Sequence, residues 1–165
     1  MDVILIVLLA LHITFIALWA GGATILSSII LPSIGKISPA SRKEFIIGVV
    51  PRYARFIAAT SIGAAIFGIL LFGYETGVAT VYAPSSTGII FIEAGAIVGL
   101  IALVLALGVA YPTANRLVRT LKNQTPESKP DESIPKMQAR MRMTAGAVTG
   151  LLGITLVLMV IGATV

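Results

Sequence analysis

The sequence predicts an all-α protein: a four-helix transmembrane bundle of up-down topology, one domain over residues 1–165, with both termini extracytoplasmic. Three observations carry that expectation. Hydrophobic residues make up 57% of the chain and charged residues 12%, with a mean hydropathy of +1.00, far more apolar than a soluble domain of this length. Four apolar stretches, at about residues 3–31, 56–74, 88–111 and 144–165, each reach the roughly 20 helical residues that cross a hydrocarbon layer of about 30 Å. All twelve Lys and Arg fall in two segments, Lys36 to Arg55 and Arg116 to Arg142. In a four-span chain both segments lie on one side, and basic loops are retained in the cytoplasm. The protein is therefore expected in the cell membrane as a multi-pass chain.

Span 1 opens at Val3, directly after Met1 and Asp2. A secretory signal carries a positive start and a short apolar core, so this longer run behind an acidic residue reads as a retained helix. Pro32, Ser33 and Gly35 end it. The first basic loop covers about residues 35–55. Within it Ser41 and Glu44 have the spacing of a capping box, which predicts a short amphipathic helix over Ser41 to Val50, broken by Pro51.

Arg52 and Arg55 follow three apart, on one helix face, where span 2 leaves the headgroups. They read as interfacial anchors to lipid phosphate. The link from Glu75 to Thr87 holds no Lys or Arg, and Gly77, Pro84, Ser85 and Ser86 make it a turn-rich outer connection. Span 3 runs to Tyr111, and Pro112 permits a kinked continuation to about Leu121. The second basic loop covers about residues 112–142, with a polar linker at Asn123 to Pro135.

Small residues spaced for close contact recur as Ala64 and Gly68, Gly95 and Gly99, and Gly146, Gly150 and Gly153. They indicate tight packing within one bundle and are weak evidence for a homo-oligomer. The two halves show no convincing duplication beyond their shared charge pattern.

Several function classes are excluded or disfavoured. With no Cys, disulfides, iron-sulfur clusters and thiolate metal sites within the chain are ruled out. The net charge of +5 belongs to contact with the lipid bilayer; no aromatic residue interleaves the basic ones over 116–142, which speaks against nucleic acid. No nucleophile and base pair, paired carboxylates or phosphate-binding glycine loop appears, so the reading leans away from an enzyme.

Chemistry is confined to few polar residues in the spans. His12 is the only histidine, and Phe15, Ile16, Trp19, Gly22 and Ala23 share its helix face. Glu93 lies near the outer end of span 3 and Met159 near the outer end of span 4, at comparable depth. Ionisable groups in hydrocarbon cost about 2.5 to 3.5 kcal/mol, which predicts interior positions with partners. Three roles remain open for His12: a hydrogen bond to Glu93 that locks helices 1 and 3, a haem or metal ligand, or a proton relay. Met137, Met141 and Met143 alternate with Arg140 and Arg142 and read as interfacial packing.

Leu11 and His12, then Trp19, Ala20, Gly21 and Gly22 and on to Pro32, resemble the first helix of the CopD-like (copper-resistance D) membrane proteins, and are similar there to the HemJ-type protoporphyrinogen oxidases. Arg52, Arg55, Gly68 and Gly73 resemble that family's next helix. The likeness covers about the first 75 residues. It implies a four-helix membrane domain whose first-span histidine contacts haem or copper, a role that carries onto His12 alone. Trp19, Glu93 and Met159 are then the candidates to line the cofactor site, with Met159 the better placed second ligand, since no second imidazole exists. The alternative is a non-catalytic accessory subunit of a larger membrane assembly, of the respiratory or copper monooxygenase type.

Overall fold

A computed structural model of the protein describes residues 2–77, 86–124 and 131–165. Four helices account for its regular structure: α1 (Val3–Ile34), α2 (Pro39–Gly77), α3 (Thr87–Asn123) and α4 (Ser133–Thr164). Each is long and apolar enough to cross a membrane, and the chain is a multi-pass membrane protein built as a four-helix bundle. Most of the turn-rich link after Glu75 and the linker residues Pro126, Glu127 and Pro130 lie outside the described residues.

The helices run on well past the expected apolar stretches. At 32, 39, 37 and 32 residues they reach about 48 to 58 Å at 1.5 Å per residue, against a hydrocarbon layer of about 30 Å. The surplus falls at the basic end, where most of the two expected loops is helical. Three prolines were expected to break or kink these helices, and they are accommodated in two ways.

Pro51 lies inside α2 without interrupting it. A proline there removes one backbone bond at a cost of about 3 kcal/mol. Packing outweighs that cost, because Ile46 and Val50 are buried against α3 and α4 together with Ile34, Leu117 and Met141. The expected Ser41 cap is likewise displaced. Ser38 caps the helix instead, its Oγ accepting from the Ser41 amide at 3.2 Å.

Pro32 and Pro112 each sit two residues beyond a π-bulge, at Leu26–Ile30 and Ala106–Ala110. In each bulge the closing amide reaches back five residues, from Leu31 to Leu26 and from Tyr111 to Ala106. The widened turn lets the helix pass a residue that has no amide to donate. Beyond its bulge α3 continues as Tyr111–Asn123 with Ala114, Leu117, Val118 and Leu121 buried along one stripe, an amphipathic face that only tertiary packing can satisfy.

α1 pairs with α2 and α3 with α4 as antiparallel hairpins, while α1 also meets α4 and α2 meets α3, closing a ring. The two hairpins are alike. Both first helices carry a bulge followed by proline, and His12 and Ile92 stand at matching positions ahead of their bulges. Each faces a glycine of the paired helix: a Cβ on Gly68 would lie 2.7 Å from His12 Cε1, and one on Gly162 would lie 2.7 Å from Ile92 Cγ1. The duplication escapes the sequence because the seam-facing residues differ.

Two apolar cores stack along the bundle. The central one gathers Ile16, Trp19, Ala23, Ala64, Ala102, Ala106, Val148 and Leu152. The second, at the basic end, includes Ile34, Ile46, Val50, Leu117, Leu121 and Met141. Met141 is thus a core residue, whereas Met143 is 76% exposed. Glycines expected in tight contacts divide similarly. Gly68 and Gly95 sit against neighbouring side chains, but Gly146, Gly150 and Gly153 have open space where a Cβ would be.

Candidate functional site at His12

His12 sits in the seam between α1 and α2. Its Nδ1 lies 2.9 Å from the carbonyl oxygen of Ala64; a carbonyl only accepts, so Nδ1 carries the proton and donates. Ala64 and Gly68 are one helical turn apart on α2, so the carbonyl and the bare glycine backbone form one shelf. The ring rests on that shelf, with Nδ1 only 3.0 Å from where a Gly68 Cβ would stand. Any larger residue at position 68 displaces the imidazole.

Neighbouring contacts fix how α1 docks on α2. Phe15, one turn from His12, stacks on Phe67 at 5.4 Å between centroids, and its ring occupies the space a Gly63 side chain would need. Further along, Tyr53 donates its hydroxyl to the Gly22 carbonyl, beside Phe56 and Ile57, which close over Gly22. The α1 face expected to be uniform is therefore split. His12, Phe15 and Gly22 meet α2, while Ile16, Trp19 and Ala23 turn to the central core.

The expected bond from His12 to Glu93 is not formed: Glu93 is exposed, and the imidazole takes its partner from the α2 backbone. Trp19 is 3% exposed, and its Nε1 has no hydrogen-bond partner among the described residues. Met159 packs against the central core from the other hairpin, beside Gly95 of α3, where a Cβ would lie 3.1 Å from its Cγ. His12 and Met159 thus occupy different helix seams. Among the described residues no three of His, Asp and Glu come together as a metal-binding group.

Arg52 and Arg55 bond back to their own helix, to the carbonyls of Gly48 and Pro51, each at 3.3 Å. Both are exposed.

At the end of the bundle away from the basic loops, Tyr74 donates to the Asp2 carboxylate at 2.5 Å, joining the start of α1 to the far end of α2. That bond holds the Asp2 carboxyl below the usual carboxylate range. Ser133 similarly lowers Asp131, whose carboxylate accepts the Ser133 amide at 2.8 Å where α4 begins.

Sequence reasoning singled out His12 but missed Ala64, Gly68 and Tyr53, the residues that orient it and its helix. A backbone carbonyl leaves no trace in side-chain chemistry. Only the small-residue spacing of Ala64 and Gly68 was a signal, and it suggested packing alone. Comparison of the chain with protein-family models, curated proteins and solved structures finds no match.

Proposed function

We propose that this membrane protein offers His12 Nε2 as the donor atom of a single-ligand haem site, the role implied by its resemblance to CopD-like proteins. One observation carries the reading: the Nδ1 proton is committed to the Ala64 carbonyl, which in the neutral ring leaves the lone pair on Nε2. Histidine ligands are held in this way, one ring nitrogen anchored to a carbonyl or carboxylate and the other presented. Ala64 sets the tautomer and Gly68 sets the ring plane. A bound haem supplies a one-electron redox couple.

A metal ion held by this chain alone fits less well. Copper(I) favours several soft or imidazole donors, whereas the described residues provide one imidazole and hold Met159 in another seam. No step is assigned to copper, Trp19, Glu93 or Met159. In this reading the basic end faces the cytoplasm, by the bias of Lys and Arg, and His12 lies toward the opposite leaflet.

A second reading is a non-catalytic accessory subunit of a larger membrane assembly. Its support is the bundle interior: among the described residues the buried polar side chains are Thr60, Ser61, Thr113, Thr144 and Thr155, with no buried ionisable group. Thr60, Ser61 and Thr113 bond back along their own helices, Thr60 to Phe56 at 2.9 Å, and none of the five makes an acid-base pair with a described residue.

Haem b added to the purified chain in mild detergent separates the two readings. The first predicts a Soret band that vanishes in His12→Ala and haem retention about tenfold weaker in Gly68→Ala, the scale on which ligand-orienting contacts act. A folded wild-type chain that stays colourless and retains a second membrane chain in stoichiometric amount establishes the accessory role instead.

A further inference from the structure

We infer that a cavity at the basic end, between α3 and α4, is a binding site for a phosphate group. The cavity is half open, has a volume of about 320 Å³ and is lined by Thr113, Arg116, Thr120, Ser133, Met137 and Arg140. This inference is independent of the His12 reading and uses none of its residues.

The spacing builds the site. Thr113, Arg116 and Thr120 fall on one stripe of α3, and Ser133, Met137 and Arg140 on one stripe of α4. The two stripes face each other across the cavity and place one guanidinium on each wall. Three arginines at this end are committed to carbonyl oxygens, Arg42 to Gly35 and Ile37, Arg52 to Gly48 and Arg55 to Pro51, and of the remaining four only Arg116 and Arg140 line the cavity. Arg116 and Arg140 hold no hydrogen bond or ion pair with the described residues. Two guanidiniums lining one cavity favour an anion between its walls, and their planar forks match the oxygens of phosphate.

The remaining groups narrow the chemistry. Thr113 gives its hydroxyl proton to the Val109 carbonyl at 2.6 Å, so its oxygen is an acceptor only, suited to a protonated or hydrated ligand atom. Thr120 has no hydrogen-bond partner among the described residues and can donate its hydroxyl. The start of α4 is already occupied, since the Asp131 carboxylate accepts the Ser133 amide at 2.8 Å; recognition therefore rests on the two guanidiniums and Thr120. The volume is about ten times the roughly 30 Å³ of one water, room for a hydrated phosphate ester. Arg116 lies just over one helical turn past Tyr111 and Arg140 one turn before Thr144, which puts both about 6 to 8 Å beyond the apolar spans, at headgroup depth. An anionic phospholipid headgroup and a free phosphate offer the same oxygens.

Native mass spectrometry of the full chain in neutral detergent, with phosphatidylglycerol added, measures the lipid arm; calorimetric titration with inorganic phosphate measures the other. Two double variants carry equal charge loss: Arg116→Gln with Arg140→Gln inside the cavity, and Arg119→Gln with Lys136→Gln outside its lining. All four residues are exposed, and circular dichroism checks that helix content is unchanged. The expected result is at least about a tenfold loss of affinity in the cavity pair, as two charge-assisted bonds require, and under about twofold in the outer pair. Loss confined to the lipid arm identifies a headgroup as the ligand, and loss confined to the phosphate arm identifies the free anion. Equal losses in both variants, or no binding in either arm, overturns the inference.

Discussion

A single side chain in lipid becomes chemically defined through the backbone that faces it. His12 owes its tautomer to one carbonyl and its ring plane to one missing side chain, and both are supplied by α2. The same scale governs the far end of that hairpin, where Tyr74 donates to Asp2. Because this bond lowers the Asp2 carboxyl in the folded chain, its stabilisation is present above the unfolded carboxylate range and disappears as pH falls through the folded value. Thermal unfolding in detergent is expected to show an acid-side loss of stability that is reduced in both Asp2→Asn and Tyr74→Phe. An acid limb of full size in both variants contradicts the assignment.

At the level of elements, the bundle tolerates proline by two devices. α1 and α3 widen into π-bulges ahead of Pro32 and Pro112, whereas α2 keeps Pro51 inside a continuous helix held by Ile46 and Val50. Pro51→Ala should restore a backbone donor and raise stability by about 1 to 3 kcal/mol, measured as a shift in unfolding by denaturing detergent. A loss of stability would show that the proline shapes the helix and is not merely carried by it. This is also where the sequence was hardest to read. Hydropathy located all four helices, since lipid demands about 20 apolar residues whatever their packing. Sequence reasoning placed a helix over Ser41 to Val50 and a continuation of span 3 to about Leu121, but it could not join the first of these to span 2, because the helix passes Pro51 only with Ile46 and Val50 packed against residues from distant segments.

Across the whole molecule, two hairpins of like construction carry different seam residues, and only the first places an imidazole there. His12 was legible because a lone histidine in an apolar span is conspicuous. Its shelf on α2 and the cavity walls of Arg116 and Arg140 were not, since both join residues from separate helices. What the molecular account rests on is an even number of crossings, with every described Lys and Arg at one end and Asp2 and Val165 at the other. The chain has no cysteine, so single cysteines report their own side of the membrane. In oriented vesicles, Ser38→Cys and Asn123→Cys should react with an impermeant maleimide from the cytoplasmic face alone, and Asp2→Cys and Thr164→Cys from the opposite face alone. Labelling of Asp2→Cys and Ser38→Cys from the same face would contradict the four-span bundle and the site built upon it.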